Sequence, residues 1–225
     1  MKNSWLYLSY LLQPSLSAYG DGDRIKIHRL RQMANGDTSN NSSFELPAHY
    51  GTHIDFPNHF INGGETIETF DASYFIHTRI ETVQVEGVFG DQLIGPQHFI
   101  HAKLNVDTTF LIIRTGIGAN RADSKYWSEN PGMAPELAAY LKDKMPSLRT
   151  IGMDTISLSG YKNRPIGRVA HKEFLEVHGI TLVEDMDLAA LKPGSRISQL
   201  IVAPLRFEKA DGAPVTILAQ IEHEN

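Results

Sequence analysis

A chain of 225 residues, with 41% hydrophobic and 21% charged residues, buries a core and is too apolar for intrinsic disorder. Lys and Arg number 21 against 26 Asp and Glu, a formal charge of −5, and no basic stripe appears, so no nucleic-acid partner is expected. The absence of cysteine excludes disulfides, thiol catalysis and thiolate metal sites, and fits a reducing, cytoplasmic compartment.

In chain order, the first expected element is a strand. Trp5, Leu6, Tyr7, Leu8, Tyr10, Leu11 and Leu12 crowd aromatic and aliphatic residues together after one basic residue, Lys2. The stretch is short and broken by Ser9, which makes a poor secretory signal and a better strand. Further strands are expected over 25–30, 78–85, 109–114, 150–153, 181–184 and 215–221. Residues 35–43 are polar and turn-rich and read as a surface loop feeding the segment that follows. Helical patterns lie at 135–144, with Pro135 in the first turn, and at 170–178, closed by Gly179; 95–102 reads as a shorter one. Strand 150–155, the helix at 170 and strand 181–184 form a βαβ-like unit. The expected class is mixed, strand-rich α/β in a single domain over 1–225. No apolar run approaches the ~18 residues of a membrane-spanning helix, so no membrane partner is expected.

Three of the ten histidines fall between residues 49 and 59, in His49-Tyr50-Gly51-Thr52-His53-Ile54-Asp55-Phe56-Pro57-Asn58-His59. The potential ligands His49, His53, Asp55 and His59 occupy odd positions, so in an extended chain they share one face, opposite Tyr50, Ile54 and Phe56. A straight strand holds His49 and His53 about 13 Å apart, near the limit for sharing one ion. The chain must therefore bend, and Gly51 has the freedom to bend it. The expected geometry is a strand end curled around an ion. Imidazole plus carboxylate suits Zn²⁺, and also Mn²⁺ or Fe²⁺.

A second pair follows from lengths. A helix from His171 to His178 covers about 12 Å, and the returning strand to Glu184 about 13 Å, so the two residues meet at one end of the unit. Alone, they read as a solvated histidine and a capping carboxylate; the first cluster makes them a candidate second ligand set.

The string His-x-Gly-Thr-His-x-Asp-x-Pro-x-His resembles the signature of the cyclase family of metal-dependent hydrolases, which includes bacterial kynurenine formamidase and isatin hydrolase. Leu8-Ser9, Leu111-Ile112-Ile113-Arg114-Thr115-Gly116, Asn130-Pro131-Gly132, Ile151-Gly152-Met153-Asp154-Thr155 with Ser157, and Ala213-Pro214-Val215 extend the likeness over most of the chain. The resemblance implies a swivelling β/β/α fold, in a homodimer or homotetramer, acting on a small-molecule substrate. It implies that His49, His53 and Asp55 bind a first ion and that Asp55 bridges to a second, completed by His171 and Glu184. The cofactor would be one or two Zn²⁺ per chain, with Mn²⁺ as the alternative, and His59 would be the acid/base. Tyr19-Gly20-Asp21-Gly22-Asp23 stands where relatives usually carry an aromatic, Pro, Gly and Asp, which makes Tyr19 the expected substrate-binding residue. Ser159 replaces an Asp of several members, and Arg168-Val169 an apolar-Pro step. These departures bear on the substrate more than on the chemistry.

The implied reaction cleaves a C–N bond in a small amide, formamide or cyclic amide. A divalent ion lowers the pKa of bound water from ~15.7 towards ~7, and His59 passes a proton to the leaving nitrogen. The alternative is a non-catalytic metal-binding module, a sensor or sequestering protein, which would need no extra histidine placed for proton transfer.

Other signals are weaker. Thr115-Gly116-Ile117-Gly118-Ala119-Asn120-Arg121 mimics a dinucleotide fingerprint, but Arg121 replaces the third glycine and no crossover helix opens there. Ser159-Gly160 lacks the preceding glycine of a nucleophile elbow. His98 and His101 are expected on a half-exposed helix, and Asp185 and Asp187 as solvated or capping residues. His28, His77, His178 and His223 carry no assignment.

Overall fold

The computed structural model of the chain describes residues 4–222; Lys2 and His223 lie outside them. In its first half the strands are β1 (Ser4–Tyr7), β2 (Lys26–Arg31), β3 (Asn41–Glu45), β4 (His53–Asp55), β5 (Ile76–His77), β6 (Ile80–Gln84), β7 (Leu93–Ile94) and β8 (Phe110–Arg114). Then follow α1 (Lys125–Ser128), β9 (Gly132–Met133), α2 (Glu136–Lys144), β10 (Thr150–Met153), α3 (Arg164–Lys172), β11 (Thr181–Glu184), β12 (Arg196–Pro204) and β13 (Gly212–Glu222).

Nine strands form one mixed sheet in the order β5-β12-β13-β4-β11-β10-β8-β6, with β1 beside β13. Strands β6, β8, β10 and β11 run parallel, and β4 pairs antiparallel with both β11 and β13. The two ends of that order, β5 and β6, are separated in the chain only by residues 78–79, so the sheet curls until it is nearly closed.

Strand alternation sorts the apolar residues into two cores. Leu111 and Ile113 of β8 pack with Leu137, Leu141 and Phe174 of the helical layer. Phe110 and Ile112, one residue out of phase, pack inside the curl with Ile54, Val183, Leu200 and Ile217. Each such fully buried side chain contributes roughly 1.5–3 kcal/mol. The inner core is crowded: a Cβ at Gly152 of β10 would collide with Met186 Sδ and come within 2.8 Å of the Phe110 ring.

The expected mixed, strand-rich α/β class is what forms, and β10–α3–β11 is the expected βαβ unit. Four local expectations need correction. The helix expected at 170–178 begins at Arg164, with Pro165 in its first turn, and continues as a wide π turn over Glu173–Val177. Proline and Gly167 read as breakers in sequence; here proline starts the helix, and Gly167 lets it press against Ser159, whose Cα a Cβ would approach to 2.7 Å. The segment 95–102 forms only a 3₁₀ turn, Pro96–Phe99. The loop expected over 35–43 is partly β3, which pairs with β2 in a separate two-stranded ribbon. Both of its strands are exposed along their length, so no hydrophobic alternation marked it. Strand β12 was not expected either, because Arg196, Ser198 and Gln199 interrupt its apolar pattern. Among the described residues no helix is long and apolar enough to cross a membrane.

Candidate metal centre

The segment carrying the histidines is a three-residue strand between two bends. Gly51 adopts φ +66°, and a Cβ there would come 2.5 Å from Leu12. Beyond β4, Pro57–His59 form a 3₁₀ turn. The strand end therefore curls at Gly51, as the ligand spacing requires. Sheet register does the rest: His53 lies directly opposite Glu184 of β11, and Asp55 opposite Gly212 of β13. Gly212 leaves room for the His49 ring, whose nitrogens would lie 2.9 Å from a Cβ there. Helix α3 lays His171 over the same face.

All six expected residues meet. His53 Nε2 is 3.4 Å from both Asp55 Oδ1 and Glu184 Oε2. His171 Nε2 is 3.4 Å from Glu184 Oε1 and 3.6 Å from Asp55 Oδ2. His49 Nδ1 donates to Asp55 Oδ1 at 2.8 Å. Its ring stacks on that of His59, centroids 3.8 Å apart. Two ligand groups result, His53–Asp55–Glu184 and His49–Asp55–His59, each with its atoms within 4.8 Å of one another, and Asp55 belongs to both.

Several features suit a divalent cation. His53 Nδ1 donates to the Gly51 carbonyl at 2.9 Å and His171 Nδ1 to the Gly167 carbonyl at 2.8 Å. Each Nε2 is thereby aimed at the carboxylates, the arrangement by which metal-binding imidazoles are oriented. Separations of 3.4–3.6 Å are long for charged hydrogen bonds. Two ligands about 2.1 Å from one tetrahedral ion, however, lie about 3.4 Å apart. Asp55 is 1% exposed, and its Oδ2 has no hydrogen-bond partner. A buried, unsatisfied carboxylate oxygen is costly unless a cation meets it. The residues present fit the ion.

The same electrostatic niche favours protonated imidazoles. Burial disfavours the His49 cation, yet hydrogen bonds to Asp211 and Asp55 outweigh it and raise the pKa to about 10. Burial likewise opposes charge on His53 and His171, and the contacts with Glu184 and Asp55 raise both. Glu184 is held below the carboxylate range, since His171 and His53 overcome its burial. A divalent cation competes with these protons for the same atoms.

His49, His53, His59, His171 and Glu184 line a cleft of about 430 Å³, and Tyr19 stands in its wall. Asp211 was not anticipated. Its Oδ2 accepts from His49 Nε2 at 3.0 Å and from His59 Nδ1 at 3.3 Å. In sequence it is one acid in a Lys-Ala-Asp-Gly turn, marked only by the Ala213-Pro214-Val215 that follows. Leu158 was also missed as a partner, although its N–H donates to Glu184 Oε1 at 2.6 Å.

The weaker signals resolve as well. Asp185 is not solvated: it is 1% exposed, paired with Arg121 at 2.6 Å and bonded by the Tyr126 hydroxyl at 2.5 Å. Asp187 does cap, accepting from the Ala189 N–H at 3.1 Å. The glycine-rich loop after β8 spends its first two amides on the chain itself, because Asp154 accepts from Thr115 N and Gly116 N at 2.7 Å. His98 stays local, its Nδ1 3.1 Å from the nitrogen and the oxygen of Gly95.

Residues 6–159 match the family model described as Putative cyclase. Over 229 residues the chain is 29% identical to a kynurenine formamidase of Geobacillus thermodenitrificans (strain NG80-2), covering 96% of each. Its fold is similar to that of isatin hydrolase A from Ralstonia solanacearum, with TM-score 0.78 and 19% identity over 98% of this chain and 92% of that one. A potential metal-dependent hydrolase with cyclase activity is similar at TM-score 0.76 and 19% identity, over 99% and 100% of the two chains. The chain belongs to the cyclase family.

Proposed function

We propose that this member of the cyclase family is a metal-dependent amidohydrolase. It acts on a C–N bond, other than a peptide bond, in a small amide, formamide or cyclic amide. The carrying observation is the pair of ligand groups that share the buried, unsatisfied Asp55 beside a cleft of small-molecule size. The chemistry named for the relatives, kynurenine formamidase and isatin hydrolase, supplies the reaction class.

In this reading His49, His53 and Asp55 hold one ion, and Asp55, His171 and Glu184 a second. The ion is Zn²⁺ or Mn²⁺, one or two per chain. When bound, a divalent ion supplies Lewis acidity, which activates water near neutral pH and polarises a carbonyl. His59 carries the proton. Asp211 fixes the His59 ring through Nδ1 and leaves Nε2 for exchange with the leaving nitrogen. Amide cleavage needs that transfer because an amide anion leaves poorly. The Gly51 and Gly167 carbonyls that accept from His53 and His171, and the Leu158 N–H that donates to Glu184, keep the ligands in place as substrate enters. Tyr19 and Phe60 supply flat walls for the substrate. The chain is read as one domain acting in the cytoplasm as a homodimer or homotetramer.

The grouping of His59 with His49 and Asp55 favours a second reading, in which His59 is another ligand and the site binds an ion without turnover. Protein purified without chelator and assayed for metal content, then tested on formamides and cyclic amides with added Zn²⁺ or Mn²⁺, separates the two. The expected result is C–N hydrolysis that a chelator abolishes and the ion restores. Ion-loaded protein that hydrolyses none of the panel favours the binding module.

A further inference from the structure

A second cleft runs along the edge of the curled sheet. It holds about 700 Å³ and shares no lining residue with the histidine cleft. Strand β6 forms one wall over its whole length, from Thr78 before it to Glu86 beyond it. The turn over 192–195 and the start of β12 form the other.

Both walls are sheet edges. β6 is the last strand in the sheet order and pairs with β8 alone. Arg79 O accepts from Phe110 N at 3.3 Å and Val85 N donates to Arg114 O at 2.8 Å, so the odd-numbered residues of this parallel pair face β8. The N–H and C=O groups of Ile80, Thr82 and Gln84 point the other way, towards the cleft that these residues line. Among the described residues those groups have no backbone partner. Across the cleft, β12 meets β5 only at Leu200 and Ile201, so its outer edge at Arg196, Ile197 and Ser198 meets no strand. An open edge of this kind is a template for a further strand.

Charge at one end of the cleft is unbalanced. Arg114 stands opposite Gln84 in register, and its Nη1 donates to the Leu191 carbonyl at 2.7 Å, one residue before Lys192. Among the described residues neither Arg114 nor Lys192 forms an ion pair. The other two cations of the cleft are engaged, Arg79 with Asp107 and Arg196 with Glu222 at 3.5 Å. Glu81 is an odd number of residues from Gln84, so it lies on the opposite face of β6 from Gln84 and Arg114. Glu86 lies past the end of the strand.

We propose that this cleft binds an extended, acidic peptide segment of a partner protein, which adds as a strand to β6 and sets a carboxylate against Arg114 and Lys192. The unpaired groups of Ile80, Thr82 and Gln84 supply the ladder hydrogen bonds, and the two cations supply the sequence preference. A second copy of this chain is the poorer occupant. Two β6 strands paired antiparallel about a two-fold axis at Thr82 set Ile80, not a carboxylate, opposite Gln84. The inference is independent of the hydrolase reading, because it uses no residue of the histidine cleft.

The test is fluorescence anisotropy with fluorescein-labelled Thr-Val-Thr-Glu-Val-Thr and its counterpart with Gln in place of Glu. The Glu peptide should bind about 10-fold more tightly, the size of a charge-assisted hydrogen bond. Lys192→Gln should shrink that preference, and added salt should do the same. His53→Ala should leave both affinities unchanged. Thr82→Pro removes one outward N–H and spares the ladder to β8, so it should weaken both peptides. If that variant does not fold, peptides N-methylated at alternate nitrogens make the same cut from the ligand side: one of the two methylation patterns should abolish binding. Equal affinity for the Glu and Gln peptides, a preference unchanged in Lys192→Gln, or binding that survives both methylation patterns overturns the proposal. So does binding lost in His53→Ala, which would move the peptide to the histidine cleft. Failure of either peptide to bind, with a changed oligomeric state in Thr82→Pro, would give the edge to a second copy and overturn it as well.

Discussion

Glu184 and Asp185 are consecutive, both buried, and neutralised in different ways. Asp185 is satisfied by the chain itself: Arg121 pairs with it at 2.6 Å, Tyr126 donates to it, and Arg121 lies 4.7 Å from the Tyr126 ring. A guanidinium cannot release its proton, so this cluster is closed to other cations. Glu184 faces imidazoles instead, together with Asp55, whose Oδ2 has no hydrogen-bond partner. Imidazoles exchange protons near neutral pH and bind metals when neutral. The same problem, a buried carboxylate, is solved structurally on one side of the chain and left open to a metal on the other. Asp185 adopts φ +57°, and that turn points the neighbouring carboxylates into different clusters.

The largest expected effect breaks the open side. His53→Ala removes a ligand shared by two carboxylates, so the protein should lose its ion and its turnover together. Full metal content with unchanged turnover in that variant would remove His53 from the centre. His59→Ala comes next: as the acid/base, its loss should leave metal content and fold intact and lower turnover roughly 10²–10⁴-fold. A fall in metal affinity, with part of the rate returning at high metal, would make His59 a ligand.

Breaking the closed side should cost stability rather than metal. Arg121→Ala leaves Asp185 buried and unpaired, a loss of about 3–5 kcal/mol that denaturant titration would read. Added Zn²⁺ should not recover it selectively. A loss well under 1 kcal/mol would mean that water reaches Asp185.

His77 illustrates a third solution, neutrality. It is 1% exposed, and burial with the Arg149 charge lowers its pKa to about 3. The folded state resists a proton that the unfolded chain accepts below about 6.5, so this stability is complete above that pH and lost as pH falls towards 3. The loss is about 1.4 kcal/mol for each pH unit in that window. Urea midpoints at pH 7 and pH 5 should therefore fall further for the wild type than for His77→Phe. Parallel falls would show that His77 already protonates in the folded state.

What the residues alone determined is which candidate ligands come together. His53 and Asp55 share a face because strand side chains alternate, and Gly51 marks the bend that brings His49 back; both are properties of adjacent residues. The βαβ lengths likewise placed His171 level with Glu184, even though α3 begins at Arg164 rather than Ala170. Tertiary structure alone decided the partners. Asp211 reaches His49 and His59 because β13 lies beside β4, and Arg121 reaches Asp185 across the interior. The ribbon of β2 and β3 buries neither face, so its strands left no hydrophobic period to read. Periodicity reports the face a residue occupies on its own element. Which residues of distant elements meet that face is set by strand order and register, and these depend on the packing of the whole sheet.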